Sequence, residues 1–268
     1  MKQISKKIGL IGCGNMGSAI LAGLIHNRIA HSSQITVCDG IVGKMNSLAR
    51  RFSVKKTKSN SELVRQAEII LLAVKPQDLN SLAGEIRSYL TSKHVVISIL
   101  AGTPIQKLKR ILGSKPQIVR AMPNLGAQVS ESITVVTGSS KTLQLAQIIF
   151  SGCGQVISVS EKYFDLITGV SGSGPAYFFL LMELLAKAAE QNGISKQIAR
   201  LLAVQTAVGA AKLAQQSKEH PETLRQQVTS KKGTTDAALR YLEKKKFGPT
   251  FLKAINQAVK RARELSRL

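Results

Sequence analysis

Residues Ile8-Gly9-Leu10-Ile11-Gly12-Cys13-Gly14-Asn15-Met16-Gly17 decide how this 268-residue chain is read. A short apolar run ends in Gly-x-Gly-x-x-Gly and passes at once into an amphipathic stretch, Asn15–Asn27. That order predicts a strand, a tight turn and a helix. Glycine at 12 permits the turn, at 14 lets the backbone approach a pyrophosphate, and at 17 lets helix and strand pack closely. The anion would rest on the exposed N–H groups at the helix N-terminus. Gly12, Gly14, Asn15, Met16 and Gly17 are therefore candidate dinucleotide-binding residues.

Outward from this motif, short apolar runs alternate with amphipathic stretches as far as about residue 160. The pattern predicts strands at Lys7–Gly12, Gln34–Asp39, Ser53–Lys55, Glu68–Val74, His94–Leu100, Gln117–Met122, Ile133–Thr137 and Gln155–Val159. Helices are predicted between them, such as Gly43–Arg51 and Asp78–Leu90. Unbroken runs such as Ile69-Ile70-Leu71-Leu72-Ala73-Val74 suit strands covered on both faces. Residues 1–162 thus read as an α/β domain with a Rossmann-type, doubly wound parallel sheet.

From residue 163 to 268 the strands stop, and the chain reads as helices at Pro175–Asn192, Ser195–Gln216, Pro221–Val228, a segment from Thr234, and Pro249–Leu268. Ala176–Ala189 is apolar on nearly every face, and such a helix must be buried on every face. A short helical domain has too few neighbours for that, so a second subunit is expected to cover it.

Composition narrows the function. The net charge is +23, but the basic residues are spread almost evenly on either side of residue 162, aromatics make up 4% of the chain, and tryptophan is absent. A nucleic-acid binder more often concentrates its charge and interleaves aromatics, so a generally basic surface that attracts anionic ligands is expected. Cys13, Cys38 and Cys153 lie far apart, and His26, His31, His94 and His220 lack metal-ligand spacing. No metal site is expected. The first apolar run is too short for a signal-peptide core, and none reaches the roughly 18 residues of a spanning helix. The expected location is cytoplasmic.

The carboxyl ends of the strands face the ligand crevice in a sheet of this kind. Asp39 closes the second strand, where a carboxylate accepts from a ribose 2′-hydroxyl and repels a 2′-phosphate. Lys55, Lys56 and Lys58 follow; they are either solvated or placed to attract that phosphate. Ala73-Val74-Lys75-Pro76-Gln77 ends the fourth strand, and Lys75 is either a surface cation or the partner of an anionic group.

Five segments sharpen this reading when taken in order: Gly12–Gly17, Ala73–Gln77, Ser98-Ile99-Leu100-Ala101-Gly102, Arg120-Ala121-Met122-Pro123-Asn124 and Val170-Ser171-Gly172-Ser173-Gly174-Pro175-Ala176-Tyr177. With Val228-Thr229-Ser230-Lys231-Lys232-Gly233-Thr234-Thr235 and the ending Arg263-Glu264-Leu265, the chain resembles the pyrroline-5-carboxylate reductases along nearly its whole length. The resemblance implies reduction of 1-pyrroline-5-carboxylate to L-proline with NADPH or NADH, by a dimer or an assembly of dimers whose pocket combines parts of two chains. It implies that Thr235 aims its hydroxyl at the ring nitrogen, with Lys75 and Ser173 in the same pocket. Gly233, Thr234, Thr235 and Ser171 would hold the substrate. Asn60, Ala73, Val74, Lys75, Ala101 and Asn124 would join the glycine motif and Asp39 around the cofactor. One departure stands out. Where the family has Ser-Pro-Gly-Gly-Thr-Thr, this chain has Lys231-Lys232 for Pro-Gly, which either loosens the loop or strengthens its attraction for a carboxylate. Two alternatives remain at this level: another imine or β-hydroxyacid reductase, and a silent nucleotide-sensing or nucleic-acid-binding protein on the same scaffold.

Overall fold

A computed structural model describes residues 3–267; Met1 and Lys2 lie outside the described residues, as does Leu268, the predicted end of the last helix. The chain forms two compact units, one running to Gly172 and resuming at Ala258, the other Ser173–Gln257.

The first unit contains, in order, β1 (Ile8–Ile11), α1 (Asn15–His26), β2 (Ile35–Cys38), α2 (Val42–Phe52), β3 (Lys55–Lys56), α3 (Asn60–Gln66) and β4 (Ile69–Leu72). There follow α4 (Leu79–Ile86), β5 (Val95–Ser98), α5 (Ile105–Leu112), β6 (Gln117–Met122), β7 (Ser132–Thr137), α6 (Ser140–Ser151), β8 (Gly154–Ser158) and α7 (Phe164–Ile167). The strands form one sheet in the order β3-β2-β1-β4-β5-β6-β7-β8. Its first six have the Rossmann order, reversing direction of growth at β1 and β4. Every residue of β1, β2, β4 and β5 is buried, as the unbroken apolar runs require. Alternate side chains feed two cores. Ile69 and Leu71 join Ile20, Leu24, Met45 and Phe150 on the α1–α2–α6 face. Ile70 and Leu72 join Leu63, Leu82 and Leu108 on the α3–α4–α5 face.

All eight predicted strands are present, with two differences. β7 runs antiparallel to β6, pairing Arg120 with Thr137 and Met122 with Val135, whereas the predicted sheet was parallel throughout. The connection between them holds only a 3₁₀ segment, Leu125–Val129, too short for a parallel crossover. β3 begins at Lys55 rather than Ser53, because Ser53 adopts φ 52° as the left-handed cap of α2. Both residues of β3 are exposed at the sheet edge, where lysine discourages pairing with another chain.

Arg120 fastens the far side of this unit. Its guanidinium is 3% exposed, with Nη1 donating to Glu161 Oε1 at 3.2 Å and Nη2 lying 4.0 Å from Asp165 Oδ1. It also stacks 4.7 Å from the centroid of the Phe164 ring. Burial pulls its pKa below the ordinary value, opposed by the hydrogen bond to Glu161 and then by the Glu161 and Asp165 charges. Glu161 Oε1 accepts the Ile105 N–H at 2.8 Å as well, and Asp165 Oδ1 accepts the Ser266 hydroxyl at 2.7 Å. One buried cation thus joins β6, the start of α5, the segment around α7 and the C-terminal residues.

The second unit is built from α8 (Gly174–Gln191), α9 (Lys196–Gln216), α10 (Pro221–Gln227), α11 (Thr234–Lys244) and the first part of α12 (Phe247–Arg267), which passes into the first unit at Ala258. Pro175 stands in the first turn of α8, where no N–H is needed. α12 begins at Phe247, two residues before the predicted start, and so takes Pro249 into its own first turn. Between Ser173 and Gln257 the buried apolar side chains among the described residues are Ala199 and Ala203. Phe178 is 62% exposed, Phe179 55% and Leu185 52%. The predicted all-round apolar helix is therefore uncovered within one chain. Two buried alanines give this unit no core of its own. No helix among the described residues is long and apolar enough to cross a membrane.

Removing the near acceptor of a buried guanidinium leaves that charge uncompensated. Glu161→Ala is expected to lower the unfolding free energy by about 2–3 kcal/mol, read as a shift of the urea midpoint at unchanged slope. A midpoint equal to the parent's would mean that Asp165 alone satisfies Arg120.

Candidate functional site

Steric exclusion dictates the glycine turn. Gly12 has φ +105°, and a Cβ there would collide with the Ala73 carbonyl at the end of β4. A Cβ on Gly17 would collide with the Gly12 carbonyl oxygen. Gly14 differs: a Cβ built on it meets no atom within 4 Å, because it faces open space at the N-cap of α1. The first turn of α1 has no side-chain cap, so its N–H groups are left to an incoming acceptor.

The turn borders a cleft of about 500 Å³ at the carboxyl edge of the sheet. Of the predicted cofactor residues, Gly12, Gly14, Asp39, Asn60, Ala73, Val74 and Lys75 line it together. Asn15, Met16 and Gly17 form the adjoining turn of α1. Ala101 and Asn124 follow β5 and β6 at the same edge without lining the cleft. Ala101 accepts the Thr103 hydroxyl on its carbonyl. Asn124 Oδ1 accepts the Gly126 N–H at 3.0 Å and so caps the 3₁₀ segment after β6.

Asp39 has a structural duty that spacing alone did not reveal. Its Oδ2 accepts the Cys13 N–H at 2.6 Å and its Oδ1 accepts the Ile41 N–H at 2.7 Å. The carboxylate therefore pins the glycine turn to the end of β2, and Asp39 lines the cleft. Cys13 is no nucleophile: burial, then the Asp39 charge, pushes its thiol up to about 12, so it stays protonated at neutral pH. Asn60 Nδ2 donates to Glu85 Oε2 at 2.9 Å, while Asn60 Oδ1 is buried with no hydrogen-bond partner among the described residues. A buried acceptor without a donor is costly, and this one lies on the cleft wall. The opening above Gly14, the uncapped helix and the orphan oxygen of Asn60 all fit a bound dinucleotide.

Lys56 donates to Asn46 Oδ1 at 2.6 Å, and Lys44 lines the cleft. Ser171 lies in a π-helical turn, Thr168–Gly172, where its hydroxyl donates to the Ile167 carbonyl at 3.2 Å. Ser173 is the N-cap of α8, in the second unit.

The second unit holds the remaining predicted residues. Ser230-Lys231-Lys232-Gly233 is a turn closed by Gly233 N–H donating to the Ser230 carbonyl at 2.9 Å. Gly233 caps α11 with no side-chain oxygen, and Thr234 and Thr235 open that helix. A Cβ on Gly233 would strike the Ser230 side chain. Asp236, which sequence reasoning did not single out, takes the Lys232 N–H on Oδ2 and the Arg240 Nε–H on Oδ1, each at 3.1 Å. The Arg240 hydrogen bond, opposed by burial and helped by the Lys232 N–H, holds its carboxyl below the ordinary carboxylate value. The signal was available as an acid–base pair four residues apart on one predicted helix.

A glycine-turn cleft at the carboxyl edge of a Rossmann sheet, carried with an uncored helical unit, defines a dinucleotide-dependent oxidoreductase that self-associates. Comparison with known proteins narrows this class. Residues 161–265 match the family model for pyrroline-5-carboxylate reductase dimerisation, and residues 7–102 match that for NADP oxidoreductase, coenzyme F420-dependent. The pyrroline-5-carboxylate reductase of Methanosarcina acetivorans is 37% identical over 267 residues, covering 98% of this chain and 99% of that protein. The solved structure of the Plasmodium falciparum pyrroline carboxylate reductase with NADP bound is 30% identical with a TM-score of 0.89, covering 98% of this chain and 99% of its own. That of the Coxiella burnetii pyrroline-5-carboxylate reductase is 37% identical with a TM-score of 0.89, over the same shares of each chain. The chain belongs to the pyrroline-5-carboxylate reductase family.

The open space over Gly14 separates binding from folding. Gly14→Val is expected to keep the parent's thermal midpoint while raising the Kd for NADPH and NADH roughly tenfold or more. Gly17→Ala is expected to fail at folding instead. Fluorescence titration and a thermal melt on the two variants distinguish these outcomes.

Proposed function

We propose that this chain reduces 1-pyrroline-5-carboxylate to L-proline, with the cleft of the first unit holding NADPH or NADH and the turn before α11 holding the substrate carboxylate. The observation that carries this reading is a pair of helix N-termini with glycine at the N-cap and no side-chain cap: α1 behind Gly14, and α11 behind Gly233. Each presents N–H groups to an anion, one suited to a pyrophosphate and the other to a carboxylate. When bound, the dinucleotide supplies the hydride for the imine carbon. A protonated imine is already electrophilic, so the chain's main task is to orient it and exclude water. Thr235 serves this by accepting from the ring N–H on its hydroxyl oxygen. Gly233 and Thr234 add further substrate contacts, Ser171 is assigned to substrate binding, and Lys75 and Ser173 are assigned catalytic roles. The part from residue 163 serves dimerisation and substrate binding, and the protein acts in the cytoplasm.

The dimeric protein should oxidise NADPH or NADH when given pyrroline-5-carboxylate, with proline as product. Thr235→Val should reduce kcat/KM by about 1–3 kcal/mol of transition-state stabilisation and leave cofactor affinity unchanged. Folded protein that turns over neither cofactor would refute the activity, and unaltered Thr235→Val kinetics would remove Thr235 from the site.

Cofactor choice turns on Asp39. Its charge on the cleft wall opposes an adenosine 2′-phosphate, while Lys44, beside it, attracts one. The chain is expected to use both cofactors. Asp39→Asn keeps an acceptor for the glycine turn and removes the charge, so kcat/KM for NADPH relative to NADH should rise about tenfold. An unchanged ratio would show that Asp39 acts only on the backbone of the turn.

A further inference from the structure

Five non-glycine residues among those described have positive φ: Arg28, Ser53, Ser130, Lys232 and Lys246. Four stand at the carboxyl ends of helices, where a left-handed residue is an ordinary cap. Lys232, with φ 61°, follows no helix end; it is the third residue of the hydrogen-bonded turn Ser230–Gly233. Positive φ at that position alone is the signature of a type II turn, which asks for glycine there and favours proline just before. The family's Pro-Gly pair meets both demands. Lys231-Lys232 meets neither, yet the turn is made.

Asp236 accounts for this. Its carboxylate, 19% exposed, accepts the Lys232 N–H on one oxygen and is fixed on the other by Arg240. Arg240 stands one helical turn further along α11, on an exposed face. We infer that Asp236 is the positioning residue of the substrate turn: by gripping the Lys232 N–H it holds a lysine in the backbone conformation that glycine would otherwise supply. The inference rests on the substrate assignment proposed above. The first-turn N–H groups of α11 bind a carboxylate only when the preceding turn is closed, so the apparent affinity scales with the closed fraction. The Asp236–Arg240 pair and the lysine at 232 therefore form one unit, the pair cancelling the conformational cost of the lysine.

The test compares the parent with Asp236→Ala, Lys232→Gly and the double variant, all as full-length protein. Asp236→Ala should raise the KM for pyrroline-5-carboxylate roughly five- to thirtyfold, with the KM for NADPH and the dimer unchanged. In the Lys232→Gly background the same substitution should change KM by less than about twofold, because glycine holds the turn unaided. Amide hydrogen exchange over residues 231–235 should quicken in Asp236→Ala and return to the parental rate in the double variant. A KM that stays or falls in Asp236→Ala, or one that rises equally in both backgrounds, overturns the inference; the second result would assign Asp236 an effect through charge rather than backbone geometry. If the parent turns over no pyrroline-5-carboxylate while exchange follows the stated pattern, the functional reading falls and the positioning role stands. Normal turnover with exchange indifferent to Asp236 keeps the activity and removes the positioning role.

Discussion

Gly12 and Gly17 touch with no room for a methyl group between them, and Gly12 sits against the end of β4 with equally little. The rest of the first unit is arranged around this approach. It brings α1 down onto β1, so the helix N-terminus ends level with the carboxyl edge of the sheet. It also sets Ala73, Val74 and Lys75 beside the glycine turn, although some 60 residues of chain separate them. The cleft exists because two backbones meet at a distance only glycine tolerates.

The two units use the same device to hold a loop ahead of a helix. In the first, Asp39 takes the N–H groups of Cys13 and Ile41. In the second, Asp236 takes that of Lys232. A carboxylate is the strongest acceptor a side chain offers to backbone N–H groups, and each acid leaves the adjoining helix N-terminus uncapped. The acid orders the backbone of the loop while the first-turn N–H groups of the helix stay without a side-chain acceptor, in a chain whose net charge of +23 favours the approach of anions.

Much of the fold was legible because burial on both faces leaves unbroken apolar runs, and Ile69 to Leu72 could be read as a strand without any partner. Direction was not legible. The period of β7 is the same whichever way it runs, and only the short link through Leu125–Val129 decides it. The start of β3 depended on the positive φ of Ser53, which a serine does not announce. At the site, the strand, tight turn and helix around Gly12–Gly17 were legible because steric exclusion acts within a few residues. The bond of Asp39 to the Cys13 N–H was hidden, since it joins the ends of two neighbouring strands that lie 26 residues apart in the chain. The Lys231-Lys232 departure was visible as an anomaly, while its resolution by Asp236 required the turn to be seen closed.

The bare α8 face, with Phe178, Phe179 and Leu185 more than half exposed, makes the chain's persistence a matter of mass action. A helical unit whose buried apolar side chains, among the described residues, are two alanines acquires its interior by meeting another copy. Folding of that part is then second order in protein. Its melting temperature should climb with concentration, and dilution alone should dissolve structure that no denaturant has touched. The folded fraction of that unit therefore falls as the total concentration of the protein falls.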